Sequence, residues 1–110
     1  MKVVFISVPS KGTTNGGALT SAFCEDMAIL HEQHPDHVFL SPMLQNMQIV
    51  PYMQINPIWK DWDNYCRAII NRCDEMWVLK YHGWDTSEGV KHEILHANKK
   101  GIPVIFKEPR

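Results

Sequence analysis

The sequence predicts an α/β domain, a three-layer sandwich on a four- to five-stranded parallel sheet, and three observations carry that prediction. Four short runs rich in β-branched and aromatic residues alternate with longer segments that carry helical signals. The first run, VVFISV, is almost continuously apolar, as a parallel strand covered on both faces requires. At 110 residues the chain suits a single domain, residues 1–110, with one core.

The elements are predicted in the order β-α-β-α-β-α-β. Strands are expected at residues 3–8, 37–40, 76–79 and 103–106, and helices at residues 17–34, 59–72 and 87–100. Residues 41–57 contain three prolines and scattered methionines without a clean period, so we expect an ordered excursion over the sheet edge. Right-handed crossovers would place helices on both faces, which predicts a small flavodoxin/Rossmann-like layout whose strand order the sequence leaves open.

Composition and net charge limit the kinds of partner that the chain is expected to bind. The chain is 45% hydrophobic and 21% charged with a formal net charge of -1, so nothing draws it generally to nucleic acid or to an acidic membrane. No stretch approaches the roughly 20 apolar residues that span a bilayer, and the start lacks the length of a signal peptide, so a cytoplasmic location is expected. Cys24, Cys66 and Cys73 show no CxxC spacing, which favours reduced, mostly structural thiols.

Ligands of open parallel sheets bind beyond the carboxyl ends of the strands, so the loops at residues 8–17, 41–57 and 80–88 are the places to search. The first, PSKGTTNGG, is rich in glycine and small hydroxyl residues that could wrap a phosphate with backbone amides. It lacks the ending of a Walker motif, and no GxGxxG pattern is present. A phosphate-binding loop and a plain strand-to-helix connection both remain open.

The third loop leads into an amphipathic helix. Ser87 is predicted as its N-cap, and Val90, Ile94 and Ala97 share one face that should pack on the sheet. Glu93 lies at the flank of that face, one turn into a helix that points at the crevice. It is either a carboxylate that reaches a ligand or a solvated surface glutamate.

Four motifs in the last part of the chain resemble those of a known family. They are CDE before a strand, a GW turn, the run Ser-x-Gly-Val-x-x-Glu over residues 87–93, and Gly-x-Pro-Val over residues 101–104. Together they resemble the nucleoside 2-deoxyribosyltransferase-like superfamily, especially its short phage- and bacteria-associated members of unknown function. FISVPS and the SPM at residues 41–43 fit the family's first two strand ends more loosely. The resemblance covers most of the chain.

The resemblance implies a reaction. In that superfamily the glutamate that ends the Ser-x-Gly-Val-x-x-Glu run attacks the anomeric carbon of the sugar and releases the base to another base or to water, and Glu93 takes that position. The neighbouring serine and the helix amides bind the 5′ end of the ligand, which implies Ser87 and Gly89.

The resemblance also implies further ligand-binding residues and partners. The additional residues are Ser7, Pro9, Ser41, Trp84 and Asp85. Trp84 either stacks on a base or sugar or anchors the turn, and both interpretations stay open. The expected ligand is a small-molecule nucleoside or nucleoside 5′-monophosphate, with no cofactor and no metal, bound by a homodimer or higher homo-oligomer.

One position departs from the family pattern. Related sequences commonly carry an aspartate eight residues before the Asp of the Cys-Asp pair, where this chain has Cys66. Asp63, one helical turn earlier, is the candidate catalytic partner in its place, and Asp61 is the other carboxylate nearby. The departure opens a second hypothesis, a protein that binds a nucleotide on this scaffold without cleaving it.

The same helix contains HEILH at residues 92–96, which matches the HExxH signature of zinc hydrolases. No HxxGxxH continuation follows, and no third ligand is evident. Helical spacing turns His92 and most of His96 toward the polar face, whereas a zinc-binding helix must turn both into a cleft. The zinc hydrolase is therefore the third and least favoured hypothesis.

Overall fold

The computed structural model describes residues 1–15, 18–54 and 59–109, with residues 59–61 described by their backbone alone. In chain order the elements are β1 (Lys2–Ser7), α1 (Ser10–Thr13), β2 (Thr14–Asn15), β3 (Ala18–Leu19), α2 (Ser21–Gln33), β4 (His37–Leu40), α3 (Pro42–Asn46), a 3-10 turn (Val50–Tyr52), α4 (Trp59–Ile70), β5 (Glu75–Leu79), α5 (Glu88–Lys99) and β6 (Val104–Lys107). Within these ranges no helix is long and apolar enough to cross a membrane.

Strands β1, β4, β5 and β6 form one sheet in which every neighbouring pair is parallel. Their order is β4-β1-β5-β6, so β1 lies inside the sheet between β4 and β5. The predicted α/β class and parallel sheet are confirmed, and the sheet has four strands. This is the flavodoxin-like strand order. The next strand of the sheet, β4, lies on one side of β1, and the later strands lie on the other side.

Helices cover both faces of the sheet because alternate residues of a strand point to opposite sides. Val4 and Ile6 of β1 join one core cluster with Phe23 of α2. Phe5, between them, joins a second cluster with Ile70 of α4 and residues of α5. Each of these side chains is at most 1% exposed. The three layers are therefore α2, the sheet, and the pair α4 and α5.

Two predicted segments differ from the structure. The helix expected over residues 17–34 begins at Ser21, because β2 and β3 pair as a small antiparallel hairpin and Thr20 caps the helix by accepting a hydrogen bond from the Phe23 amide at 3.2 Å. The excursion expected over residues 41–57 contains α3 and the 3-10 turn. Residues 55–58 of that excursion, and Gly16 and Gly17 of the first loop, lie outside the described residues.

The cysteines are all free thiols. Cys66 and Cys73 are buried in the cluster beneath α4 and α5, whereas Cys24 is exposed on α2. The first two therefore fit the expected structural thiols, and the burial of Cys66 beside the carboxyl edge of the sheet makes it part of the site described next.

Candidate functional site

A cavity of about 300 Å³ opens at the carboxyl end of β1, where the strand order reverses. Loops diverge at such a point in open parallel sheets, which leaves a crevice for ligands. The described residues that line it come from β1, the first loop, α3 and its continuation, α4 and α5: Ile6, Val8, Ser10, Pro42, Met43, Asn46, Met47, Val50, Trp62, Asp63, Cys66, Gly89 and Glu93. The walls are largely apolar, and the two ionisable carboxylates among these residues are Asp63 and Glu93.

Glu93 faces this cavity from the second turn of α5. Its Oε1 accepts a hydrogen bond of 2.6 Å from the Ser7 hydroxyl, and Ser7 is the fully buried last residue of β1. Burial raises the pKa of Glu93, hydrogen bonds from Ser7 and Cys66 lower it, and the charge of Asp63 raises it, so that the pKa is about 7 when all four act together. A carboxylate with so perturbed a pKa, inside a cavity, is a frequent sign of a functional site.

Helix α4 contributes Asp63 and Cys66, which lie one helical turn apart and line the same cavity. The Asp63 carboxylate forms an ion pair of 3.1 Å with Arg67 on the same helix. The Cys66 thiol and the Glu93 carboxylate line the same cavity, and each affects the pKa of the other. Burial, followed by the negative charge of Glu93, raises the pKa of Cys66, so its sulfur stays protonated. The structure thus brings Asp63 and Glu93 to one cavity, with Cys66 beside both.

The start of α5 borders the cavity through Gly89. Ser87 is the N-cap, as expected, and its hydroxyl oxygen accepts a hydrogen bond of 3.3 Å from the Val90 amide. A helix of 12 residues places unpaired amides and a partial positive charge at this end. Ser87 itself is not among the described lining residues.

Ser41 and Pro9 support the opposite side of the cavity. The Ser41 hydroxyl oxygen caps α3 by accepting from the Leu44 amide at 3.3 Å, which holds the helix whose residues form the wall. The Pro9 carbonyl accepts a hydrogen bond of 2.9 Å from the Thr13 hydroxyl, so it braces the turn of the first loop. Both residues are buried, and neither is among the described lining residues.

The two threonine hydroxyls of the first loop are engaged within the loop. Thr14 donates to the Ser10 carbonyl at 2.7 Å, and Thr13 donates to the Pro9 carbonyl. Ser10 does line the cavity. Of the two interpretations left open for PSKGTTNGG, the described part of the loop has the geometry of a structured connection.

Trp84 and Asp85 lie apart from the described lining of the cavity. The Trp84 ring packs against Phe106 with centroids 5.5 Å apart, and the Lys80 ammonium lies 5.7 Å from its centroid. Asp85 is exposed. This geometry fits a tryptophan that anchors the turn between β5 and α5.

The two histidines of the HEILH motif flank Glu93 along α5 but make their contacts elsewhere. The His96 Nε2 lies 2.7 Å from the Asn71 amide oxygen, and the His92 Nε2 lies 4.0 Å from a Glu88 oxygen. Within the described part of the chain, no group of three or more His, Cys, Asp or Glu side chains is arranged to hold a metal ion. The Asp61 side chain lies outside the described residues.

Of the three loops that the sequence marked for search, those at residues 8–17 and 41–57 line the cavity, but several wall residues were missed. Met43, Asn46 and Met47 come from the excursion after β4, and Trp62 comes from α4. The only signal for the first three was a run of methionines and prolines without a period, which marks an irregular segment and does not say where its side chains point. Trp62 shows no pattern that separates it from the core aromatic residues.

The comparisons with known proteins identify a family and no described relative. The family described as Domain of unknown function (DUF1937) matches residues 2–108. No curated protein and no solved structure matches the chain. Because the match spans almost the whole chain, the chain belongs to the DUF1937 family.

Proposed function

We propose that this DUF1937 member acts on the N-glycosidic bond of a nucleoside or nucleoside 5′-monophosphate, by hydrolysis or by transfer of the deoxyribosyl group to another base. The observation that carries the proposal is the carboxylate of Glu93. It faces a cavity at the carboxyl end of the sheet, and Ser7 holds one of its oxygens. The motif resemblance around residues 87–93 points to the same residue.

The proposed reaction follows the chemistry of retaining glycosidases. The Glu93 carboxylate attacks the anomeric carbon as the carbon–nitrogen bond breaks, and the leaving base takes that bond's electron pair and a proton. Water or a second base then displaces the carboxylate from the sugar and loses a proton. Asp63, the second carboxylate in the cavity, is the candidate for handling these protons. With Glu93 and Asp63 in these roles, the reaction needs no cofactor.

The cavity suits a ligand of this class. Its volume lies near the lower end of the roughly 300–1,000 Å³ typical of ligand pockets. Apolar and aromatic walls, including Trp62, can cover a base and the carbon face of a sugar. Gly89 and the amides at the start of α5, with Ser87 beside them, favour the 5′ oxygen or phosphate. A homo-oligomer and a cytoplasmic location belong to the same proposal.

The direct test is base release. The protein is incubated with deoxynucleosides, ribonucleosides and their 5′-monophosphates, and free base is measured by chromatography, with and without a second base as acceptor. Glu93→Gln should lower the rate by at least about 10³-fold, because the amide cannot act as the nucleophile. Glu25→Gln, an exposed glutamate on α2 across the sheet, is the matched control and should keep the wild-type rate. Equal rates for both variants would exclude Glu93 as the nucleophile.

A second candidate function is nucleotide binding without cleavage. Cys66 supports it, because its neutral thiol lies beside Glu93 at a position where the superfamily that this chain resembles commonly has an aspartate. A thiol whose pKa is raised is a poor proton donor to a leaving base. Saturable binding of a nucleoside or nucleotide, with no base released over long incubation, would favour this candidate over the first.

A further inference from the structure

Cys66 occupies a position in the site that the proposed reaction does not yet use. It lies in α4, is 8% exposed and lines the same cavity as Glu93, whose charge acts on the pKa of its thiol. Helices α4 and α5 pack against each other on one face of the sheet, so this contact joins two elements at the cavity wall. Ser7 approaches the same carboxylate from β1.

We propose that Cys66 is a positioning residue, whose neutral thiol acts with the Ser7 hydroxyl to fix the Glu93 carboxylate in the cavity and to support its ionised form. The inference rests on the proposed function, since it concerns the residue that carries that reaction. It assigns Cys66 a purpose different from that of an acid or base. The aspartate that the resemblance leads one to expect would bring a further negative charge to this place.

The direction of the hydrogen bond follows from the charges around the thiol. Cys66 is buried, and both Glu93 and Asp63 disfavour a thiolate beside them. The sulfur therefore keeps its proton and can donate it, as the Ser7 hydroxyl does. Glu93 has no proton to donate once it is ionised, so it accepts from both. Two donors on two separate elements restrict the carboxylate to one orientation.

The groups that face Glu93 explain why such donors matter. Asp63 on α4 is the charged neighbour that disfavours ionisation of Glu93, and Arg67 offsets part of that charge through its ion pair with Asp63. From β1 the neighbour is the neutral Ser7. On α5 itself, the His92 Nε2 lies 4.0 Å from a Glu88 oxygen, and the His96 Nε2 lies 2.7 Å from the Asn71 amide oxygen. Among the described residues, the hydrogen bonds from Ser7 and Cys66 are thus the interactions that favour the charged carboxylate.

The test measures the titration of Glu93 itself in three variants. Cys66→Val removes the donor while keeping the space filled and dry, and Cys66→Ser keeps a donor at the same place. Cys73→Val is the matched control, because Cys73 is another buried thiol of the same core cluster but donates to the Ile69 carbonyl. The Glu93 carboxyl carbon is followed by NMR from pH 4 to pH 9, with Glu93→Gln assigning the signal.

We expect Cys66→Val to raise the pKa of Glu93 by at least about half a unit, because a donor to the charged form is lost. Cys66→Ser should leave the pKa at or below its wild-type value, and Cys73→Val should not change it. The inference is wrong if the valine variant titrates like the wild type. It is also wrong if the pKa of Glu93 rises in Cys66→Ser. If Cys66→Val fails to fold, the result for Cys66→Ser decides the test.

Activity gives an independent arm. If base is released, the acid limb of kcat/KM should move to higher pH in Cys66→Val and return in Cys66→Ser, with kcat affected more than KM. If no substrate releases base, the proposed reaction is wrong, yet the NMR titration still shows whether Cys66 orients and supports the Glu93 carboxylate. The two failures are therefore distinguishable.

Discussion

Glu93 is a carboxylate held where ionisation is unfavourable. Burial raises its pKa from an ordinary 4.5 to about 7, although Ser7 and Cys66 each donate a hydrogen bond to it. Between those two pH values the folded chain keeps a proton that the unfolded chain has released. The free energy of unfolding should therefore fall as pH rises from about 4.5 to 7, so the fold is less stable at the pH where Glu93 is ionised.

Glu93→Gln should relieve this cost, because the amide is uncharged at every pH. At pH 8 the variant should be more stable than the wild type by on the order of 2 kcal/mol, whereas at pH 4 the two should be nearly equal. Urea unfolding at both pH values measures the difference, and Glu25→Gln on the exposed face of α2 serves as the control. A stabilisation that is the same at pH 4 and pH 8 would contradict a raised pKa of Glu93.

At the level of the elements, α5 shows how one helix serves both the core and the cavity. Val90 and Ala97 are buried against the sheet, as their spacing predicted, and Ile94 packs beside them. Glu93 lies at the edge of that face, which is why it reaches both Ser7 and the cavity. The HExxH pattern lies on the same helix, and the Nε2 atom of its second histidine, His96, lies 2.7 Å from the Asn71 amide oxygen.

The first loop meets the loop after β5 through a close contact at Gly12. A methyl group at Gly12 would lie 2.7 Å from the Tyr81 Cβ and 2.9 Å from the His82 carbonyl oxygen, both too short for real contacts. The glycine therefore allows two loops at the carboxyl edge of the sheet to pack closely. This contact holds the loop that carries Ser10 into the cavity wall.

Gly12→Ala should destabilise the protein by about 2 kcal/mol, because the Tyr81 side chain and the His82 backbone must move away from the new methyl group. Gly89→Ala is the matched comparison: its methyl group would meet the Ser87 Oγ at an ordinary 3.8 Å. In a helix this second substitution should stabilise by about 0.5 to 1 kcal/mol. Thermal unfolding of both variants measures the signs, and a destabilisation by Gly89→Ala that matched Gly12→Ala would refute the assignment of close packing to Gly12.

For the whole molecule, the raised pKa of Glu93 and the proposed reaction together predict that activity and stability change in opposite directions with pH. As the proposed nucleophile, Glu93 must be ionised, so kcat/KM for base release should fall about tenfold for each pH unit below about 7. A pH series of initial rates at low substrate concentration measures this limb, with Glu25→Gln expected to follow the wild-type profile. A rate that stays constant from pH 5 to pH 7 would be inconsistent with Glu93 as the ionised nucleophile.

Much of the fold could be predicted from local patterns. The nearly continuous apolar run of β1, the periodic face of α5 and the Ser87 cap all appear in the structure, because each depends on neighbours a few residues away. The hairpin β2–β3 and helix α3 could not be predicted. Both are short, and tertiary packing decides whether such segments form.

The candidate site could be placed at the carboxyl edge from the sequence, because parallel strands put their following loops there. Glu93 was identified through its motif, and Asp63 through its spacing from Cys66. The contacts among them could not be read from the chain. Ser7 and Glu93 are 86 residues apart, and no local pattern links them.

The sequence by itself determined the four strands of the parallel sheet, the three long helices and the edge at which a ligand would be sought, since hydrophobic periodicity and caps act over short distances. Only the tertiary structure decided that β1 lies beside β5, and therefore that Ser7, Cys66 and Glu93 meet at one cavity. Strand order depends on which crossovers pack best across the whole sheet. The acidity of Glu93 depends on that packing in turn, because burial and neighbouring charges set a pKa.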